Sequence, residues 1–160
     1  MIDFERLLGA LIESGTRFIV VGGFAGTLQG SARLTQDLDV VYARDSANLE
    51  KLAAALVPFE PYPRGAPAGL PFRWDARTLQ RGLNFTLTTT LGDLDLLGEI
   101  TGGGGYDDLL DHAIQIEVFG KECLCLDLER LIEVKRAAGR PKDFEAVAEL
   151  EALLEERRGR

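Results

Sequence analysis

One stretch limits the fold more than any other: Arg17 to Val41, RFIVVGGFAGTLQGSARLTQDLDVV. Its first run, 17–21, is short, continuous, apolar and rich in β-branched residues, the pattern of a strand buried in a sheet. DLDVVYA, 37–43, reads as a second strand. Between them the chain passes through Gly22-Gly23 and FAGTLQG, a segment with room for one or two helical turns. Glycine lets the backbone come close to a ligand, and free N–H groups at the start of a helix favour phosphate. Tight helix–strand packing would use the same glycines. Two common phosphate loops are excluded. The G-x-G-x-x-G dinucleotide pattern fails at Phe24, and no lysine follows where a Walker A loop needs one.

The rest of the chain alternates helices and strands. Phe4, Leu7, Leu8, Leu11 and Ile12 have helical spacing, with Asp3 as N-cap and Gly15 as stop. Asp45 or Ser46 starts a helix that carries Leu49, Leu52, Ala53 and Leu56 on one face. Residues 58–73 hold five of the six prolines and read as a loop. Residues 83–91 and 94–97 read as a hairpin turning at Gly92-Asp93, and 114–120 with 121–127 as a second hairpin around Gly120-Lys121. Gly102 to Gly105 reads as a flexible stretch before a short helix. Asp127 caps a helix to Ala138, Gly139 stops it, and Pro141 starts another that runs to about Arg157. The expectation is an α/β (α+β) fold: one domain, 1–160, with a mixed β-sheet flanked by helices over about 15–126 and a helical C-terminus over about 127–157.

With 160 residues, 46% of them hydrophobic, the chain can build a real core. No apolar run reaches the roughly 18 residues of a membrane span. The N-terminus is amphipathic and acidic, unlike a signal peptide, and two cysteines make no disulfide framework. A cytoplasmic protein with no membrane partner is expected. The net charge of -8 argues against a surface coated with cations for nucleic acid.

Two acids change the reading of the glycines. Asp37 and Asp39 are two apart on a strand, so their carboxylates stand on one face. Like charges that close are costly unless a cation lies between them, and hard oxygen donors suit Mg²⁺. A solvent-facing strand edge is the plainer alternative. Asp95, flanked by Leu94, Leu96 and Leu97, is a third acid on another strand. Asp93 shares its face but falls in the expected turn, so Asp95 is preferred.

Gly-Gly, then Asp-x-Asp, then a lone strand acid resembles the nucleotidyltransferase superfamily of DNA polymerase β type. GGFAGTLQGSARLTQDLDVV and EVKRAAGRPKD (133–143) look like its compact bacterial AbiEii-type members, several of them toxins of toxin–antitoxin pairs. The resemblance implies that Gly22 and Gly23 cradle the triphosphate of an NTP. It implies that Asp37 and Asp39 hold two Mg²⁺ ions, and that Asp95 binds one metal and orients or deprotonates the attacking hydroxyl. Arg33 and Thr35 would touch phosphate or merely close the loop. The activity implied is Mg²⁺-dependent transfer of NMP to a hydroxyl on RNA such as tRNA, or on protein, with an antitoxin as a possible partner. Two other readings stand beside it. One is a catalytically silent fold used as a binding or antitoxin-like module. The other is a small-molecule (antibiotic) nucleotidyltransferase.

Lys135 is independent evidence. Helical spacing puts it between Leu131 and Ile132 at the centre of an apolar face. An inward lysine needs an anion, here the triphosphate or an active-site carboxylate, unless its stem snorkels to the surface. Asp143, at the start of the next helix, is a possible partner for Lys135, or simply favours that helix's N-terminal dipole. Two segments are locally basic: 64–81 with Arg64, Arg73, Arg77 and Arg81, and 130–142 with Lys135, Arg140 and Lys142. His112 is the only histidine, which excludes the usual His-based triads and zinc sites, and Cys123 and Cys125 read as small buried hydrophobes.

Overall fold

The structure is a computed structural model and describes residues 2–159. Local signals set most helix ends. Helix α1, Phe4–Glu13, starts where Asp3 Oδ1 accepts from the Arg6 amide at 3.0 Å, and it buries Leu7, Leu8 and Leu11. Helix α3, Ser46–Leu56, starts where Asp45 Oδ2 accepts from the Asn48 amide at 3.1 Å. Helix α6, Leu128–Ala138, starts where Asp127 Oδ1 accepts from the Arg130 amide at 2.8 Å. It ends on Gly139 in the left-handed conformation, φ +68°. Helix α7, Pro141–Arg158, begins with proline in its first turn, where no amide is needed. The shorter helices are α2, Gly22–Leu28, α4, Ala76–Arg81, and α5, Tyr106–Leu109.

Among the described residues seven strands form one mixed sheet. They are β1 (Phe18–Val21), β2 (Asp37–Tyr42), β3 (Tyr62–Pro63), β4 (Asn84–Thr89), β5 (Gly92–Leu97), β6 (Ala113–Val118) and β7 (Lys121–Leu126). Their order is β3-β4-β5-β2-β1-β7-β6. The β1–β7 and β2–β5 pairs are parallel, and the others antiparallel. Leu38, Val40, Val41 and Tyr42 of the central strand β2 are fully buried. Each such aliphatic side chain contributes roughly 1.5–3 kcal/mol on leaving water. Helix α2 packs on β1, β2 and α6, and α6 packs against α7.

The far end of the β1–β2 pair is locked by a polar group. Buried Asn48 accepts from the Arg17 amide at 2.7 Å and donates to the carbonyls of Arg17 (3.1 Å) and Ala43 (2.7 Å). With its hydrogen bonds satisfied, burial costs it little. The lock fixes the register that brings Val21 opposite Asp39 at the other end.

Several expectations need correction. The first hairpin turns at Thr90-Leu91, and Gly92-Asp93 lie inside β5, in register with Thr89 and Thr88. Gly92 (φ +121°) is needed because the N-terminal segment crosses there: a Cβ would lie 2.7 Å from Ile2 Cα, and the Asp3 amide donates to the Leu91 carbonyl at 2.7 Å. The proline-rich loop contains β3, an edge strand, the place where a proline without an amide is tolerated. The second hairpin turns one residue earlier than expected, at Phe119-Gly120, both with positive φ. Residues 100–104 close into a turn, with Ile100 and Gly104 exchanging backbone hydrogen bonds at 2.9 and 3.0 Å. No helix of the described residues is long and apolar enough to cross a membrane.

Candidate active site

The parallel β2–β5 pair places the acids. Asp37 stands opposite Asp93, and Asp39 opposite Asp95. Leu38, Val40, Leu94 and Leu96 alternate with them and are buried on the other face, which turns the carboxylates to a common side. Asp37, Asp39 and Asp95 each offer an oxygen within 4.8 Å of the others. Asp93 lies one pair further out and forms no part of that group.

The grouping is electrostatically expensive. Asp39 Oδ1 is buried and has no hydrogen-bond partner among the described residues. Burial, with Asp37 and Asp95 beside it, pushes the Asp39 carboxyl from its ordinary 3.8 up to about 8. Burial also raises Asp95, although Arg64 opposes it. Three convergent carboxylates and a buried oxygen with no donor fit a divalent cation of Mg²⁺ type, which takes hard oxygen ligands.

The glycines bring backbone onto this cluster. Helix α2 begins at Gly22 itself, not after the pair, and Gly22 has φ +67°. A Cβ there would lie 2.9 Å from Asp39 Cγ. At Gly23 a Cβ would lie 2.9 Å from Thr35 Oγ1. That hydroxyl donates to the Asp37 carbonyl at 3.2 Å and stands 3.4 Å from Asp37 Oδ1, so Thr35 braces the first acid. Arg33 lines the same cleft but points its guanidinium to Glu145, 3.6 Å away and exposed. Glu149 of α7 anchors the loop between the glycines and the acids, accepting from Ser31 Oγ at 2.5 Å and the Ala32 amide at 3.2 Å.

The cleft over the acids has a volume of about 430 Å³, and Arg64, Lys135, Arg140 and Lys142 supply its cations together with Arg33. Lys135 stands on the inward face of α6 beside buried Leu131 and Ile132 and is half-buried. Burial lowers its pKa, with Asp143 and Asp39 opposing. Among the described residues it forms no ion pair. Asp143 does not bond Lys135. It is 3% exposed and holds Arg140, which donates from Nε at 2.7 Å, Nη2 at 3.2 Å and its backbone amide at 3.2 Å. The partner three residues away in the first turn of α7 wins over the one on the next helix. Burial works against its charge, but the Arg140 bonds outweigh it and lower its pKa.

Arg64 is a cleft residue whose place the sequence did not disclose. From the end of β3 it donates through Nη2 to Asp95 Oδ1 and to the Leu87 carbonyl, both at 2.7 Å. Its Nε stands 3.3 Å from Asp93 Oδ2 as an ion pair without hydrogen-bond alignment. The locally basic segment 64–81 was the one signal for it, and of that segment only Arg64 lines this cleft. The other residues read as structural behave so. Cys123 and Cys125 are buried thiols raised by burial, and His112 Nε2 meets Arg130 Nη2 at 2.6 Å.

No family model matches the sequence, and no curated protein does. Solved structures share its architecture. The lincosamide antibiotic adenylyltransferase LnuA, lincomycin-bound, superimposes with TM-score 0.63 at 14% identity, over 95% of this chain and 98% of that one. TM1012 from Thermotoga maritima, a proposed nucleotidyltransferase, gives 0.53 at 15% identity over 100% and 97%. The antibiotic-resistance factor ANT(2'')-Ia gives 0.51 at 16% identity over 96% and 88%. The mixed sheet, its flanking helices and its helical C-terminus are thus those of the nucleotidyltransferase fold.

Proposed function

We propose that this chain, acting as one domain, transfers an NMP from an NTP to a hydroxyl acceptor in the cytoplasm, with Asp37, Asp39 and Asp95 holding two Mg²⁺ ions. The observation that carries the reading is the buried, unpartnered Asp39 Oδ1 inside a group of three carboxylates. Bound Mg²⁺ would activate the attacking oxygen and stabilise charge on the transferring and leaving phosphates. The chain's own groups do the rest. The acceptor oxygen bonds to the α-phosphorus, the bond to the β-phosphate bridge breaks, and pyrophosphate leaves with the electron pair. The acceptor's proton passes to the Asp95 carboxylate. Gly22 and Gly23 admit the triphosphate without side chains in the way, and Lys135, Arg140 and Lys142 face its charge.

All three acids converge, which speaks against a catalytically silent binding or antitoxin-like module. The acceptor hydroxyl belongs to an RNA such as tRNA, to a protein, or to a small molecule. The names of LnuA and ANT(2'')-Ia, both tied to antibiotics, favour the last. A role as an AbiEii-type toxin with an antitoxin partner uses the same chemistry. It is read from growth arrest on expression of the wild type and not of Asp39→Asn. The direct test is purified protein with Mg²⁺, each labelled NTP and the three acceptor classes. The reading expects labelled product and pyrophosphate, abolished by Asp39→Asn. Full activity in Asp39→Asn, or no product and no NTP-dependent thermal shift, would sink it.

A further inference from the structure

A second cavity opens on the other side of Asp39. Its volume is about 390 Å³, within the range of small-ligand sites. It shares Gly22, Asp39, Lys135, Arg140 and Asp143 with the first, so the two are lobes of one cleft that meet at the buried carboxylate.

The lobes differ in chemistry. Those of the first lobe's residues that the second lacks include the cations Arg33, Arg64 and Lys142 and the acids Asp37, Asp95 and Glu149. Those of the second that the first lacks are mostly aliphatic, Leu97, Ile100, Leu131 and Val134 among them, and their single charged group is Glu99. Glu99 is exposed and forms no ion pair among the described residues. Asn84 spends its Oδ1 on the amides of Gly98 (2.8 Å) and Glu99 (3.4 Å), so its NH₂ is the group it can offer a ligand. An in-line displacement needs the incoming oxygen opposite the departing pyrophosphate. With the triphosphate in the lobe that holds all five of the cleft's cations, the acceptor has to approach from the aliphatic one.

We infer that this second lobe is the acceptor subsite, and that it takes a small amphipathic amino alcohol. The apolar body lies on Leu97, Ile100 and Val134, the ammonium faces Glu99, and a hydroxyl reaches past Asp39 to its register partner Asp95, whose carboxylate oxygen lies within 4.8 Å of that of Asp39. This rests on the NMP-transfer reading above and narrows its acceptor. A polyanion such as RNA finds in this lobe no cation that the triphosphate does not already claim. A nucleic-acid backbone would want several. A half-buried aliphatic surface edged by one exposed acid selects an apolar ligand that carries one positive charge.

The test uses the full-length protein with Mg²⁺ and NTP. The acceptors are a homologous series of alicyclic amino alcohols, the same bodies without the amine, and an oligoadenylate with a free 3′ hydroxyl. Pyrophosphate release and labelled product are followed. Amino alcohols are expected to show kcat/KM at least about tenfold above their uncharged counterparts and above the oligoadenylate. Glu99→Gln should bring the first ratio to near one. Ala138→Trp, at an exposed position on the rim of this lobe, should cut turnover of every alcohol at least about tenfold while Mg·NTP binding, read by thermal shift, stays the same. The inference is overturned by a preference for oligoadenylate, by indifference to Glu99→Gln, or by weaker Mg·NTP binding in Ala138→Trp, which would give the lobe to the nucleoside. Each of these leaves NMP transfer standing. No pyrophosphate from any acceptor and no NTP-dependent shift would instead remove the transfer reading, and this inference with it.

Discussion

Asp39 and Asp95 are register partners across the parallel β2–β5 pair, and the carboxyls of both are pushed up by burial. Two neighbouring strands fix their separation, so neither acid can retreat from the other without breaking the sheet. The cost of bringing them together is therefore built into the fold, and a bound cation is what relieves it.

That cost has a pH signature. The folded value of about 8 for Asp39 lies above its ordinary 3.8, so between those limits the native state keeps a proton that the unfolded chain has released. Its contribution to stability is full below the lower value and is lost as pH rises towards about 8. In EDTA, the Tm of the wild type should fall relative to that of Asp39→Asn between about pH 5 and about pH 8. Millimolar Mg²⁺ should close the gap, most at the alkaline end. Calorimetry of the two proteins across that range checks it. Parallel curves would show that Asp39 is not strained.

Asp39→Asn should separate stability from activity. At about pH 8 without metal the variant should melt higher than the wild type, because it removes a buried charge with no partner. Its kcat should drop about a thousandfold or more, the order seen when a group acting on transition-state charge is lost.

Gly22→Ala should be worse than Gly23→Ala. At Gly22 a Cβ meets Asp39 and the backbone sits at φ +67°, which costs a non-glycine residue roughly 1–2 kcal/mol before any clash. Tm should fall by several degrees, with loss of divalent-metal binding. At Gly23 only the Thr35 side chain is in the way, so a smaller drop and a raised KM for NTP are expected.

Lys135→Met tests whether the inward lysine serves a ligand. Burial lowers its pKa and it forms no ion pair among the described residues, so the substitution should leave Tm unchanged or raise it. The kcat/KM for NTP should fall about 10- to 100-fold, equivalent to roughly 1.4–2.7 kcal/mol. A loss of Tm with kinetics unchanged would make Lys135 structural.

Arg64→Met removes the cation that holds Asp95 and faces Asp93. The variant should melt lower than the wild type in EDTA at about pH 8, and Mg²⁺ should recover most of the loss. Melting curves with and without metal decide it.

The sequence disclosed what is local and periodic. Asp3, Asp45 and Asp127 cap helices because a side chain three residues from an orphan amide is all that capping needs. Asp37 and Asp39 share a face because strands repeat every two residues. Their meeting with Asp95 was legible only through resemblance, since the parallel pairing that aligns them has no local signature. Arg64 stayed hidden for the same reason: its partners are 29 and 31 residues away and come within reach through the β3–β4–β5 pairing. Gly92-Asp93 misled because glycine there serves the crossing of Ile2, a tertiary need that imitates turn chemistry. Of the two readings of Asp143, the place in the first turn of α7, where the helix dipole favours an acid, is the one the structure matches. The bond goes to Arg140 and not to Lys135, because helix-face arguments do not rank a lysine on the neighbouring helix against an arginine three residues away.

The contact between Gly23 and Thr35 sets an order in which this sequence can diverge. A side chain at position 23 fits without displacing its neighbour only where position 35 has lost its hydroxyl. That earlier change unhooks the brace on Asp37. A descendant with alanine at position 23 is therefore expected to carry glycine or alanine at position 35, and to have found another way to hold its first acid. Ancestral intermediates with the two changes in the opposite order should be rarer, since they carry the loss expected of Gly23→Ala.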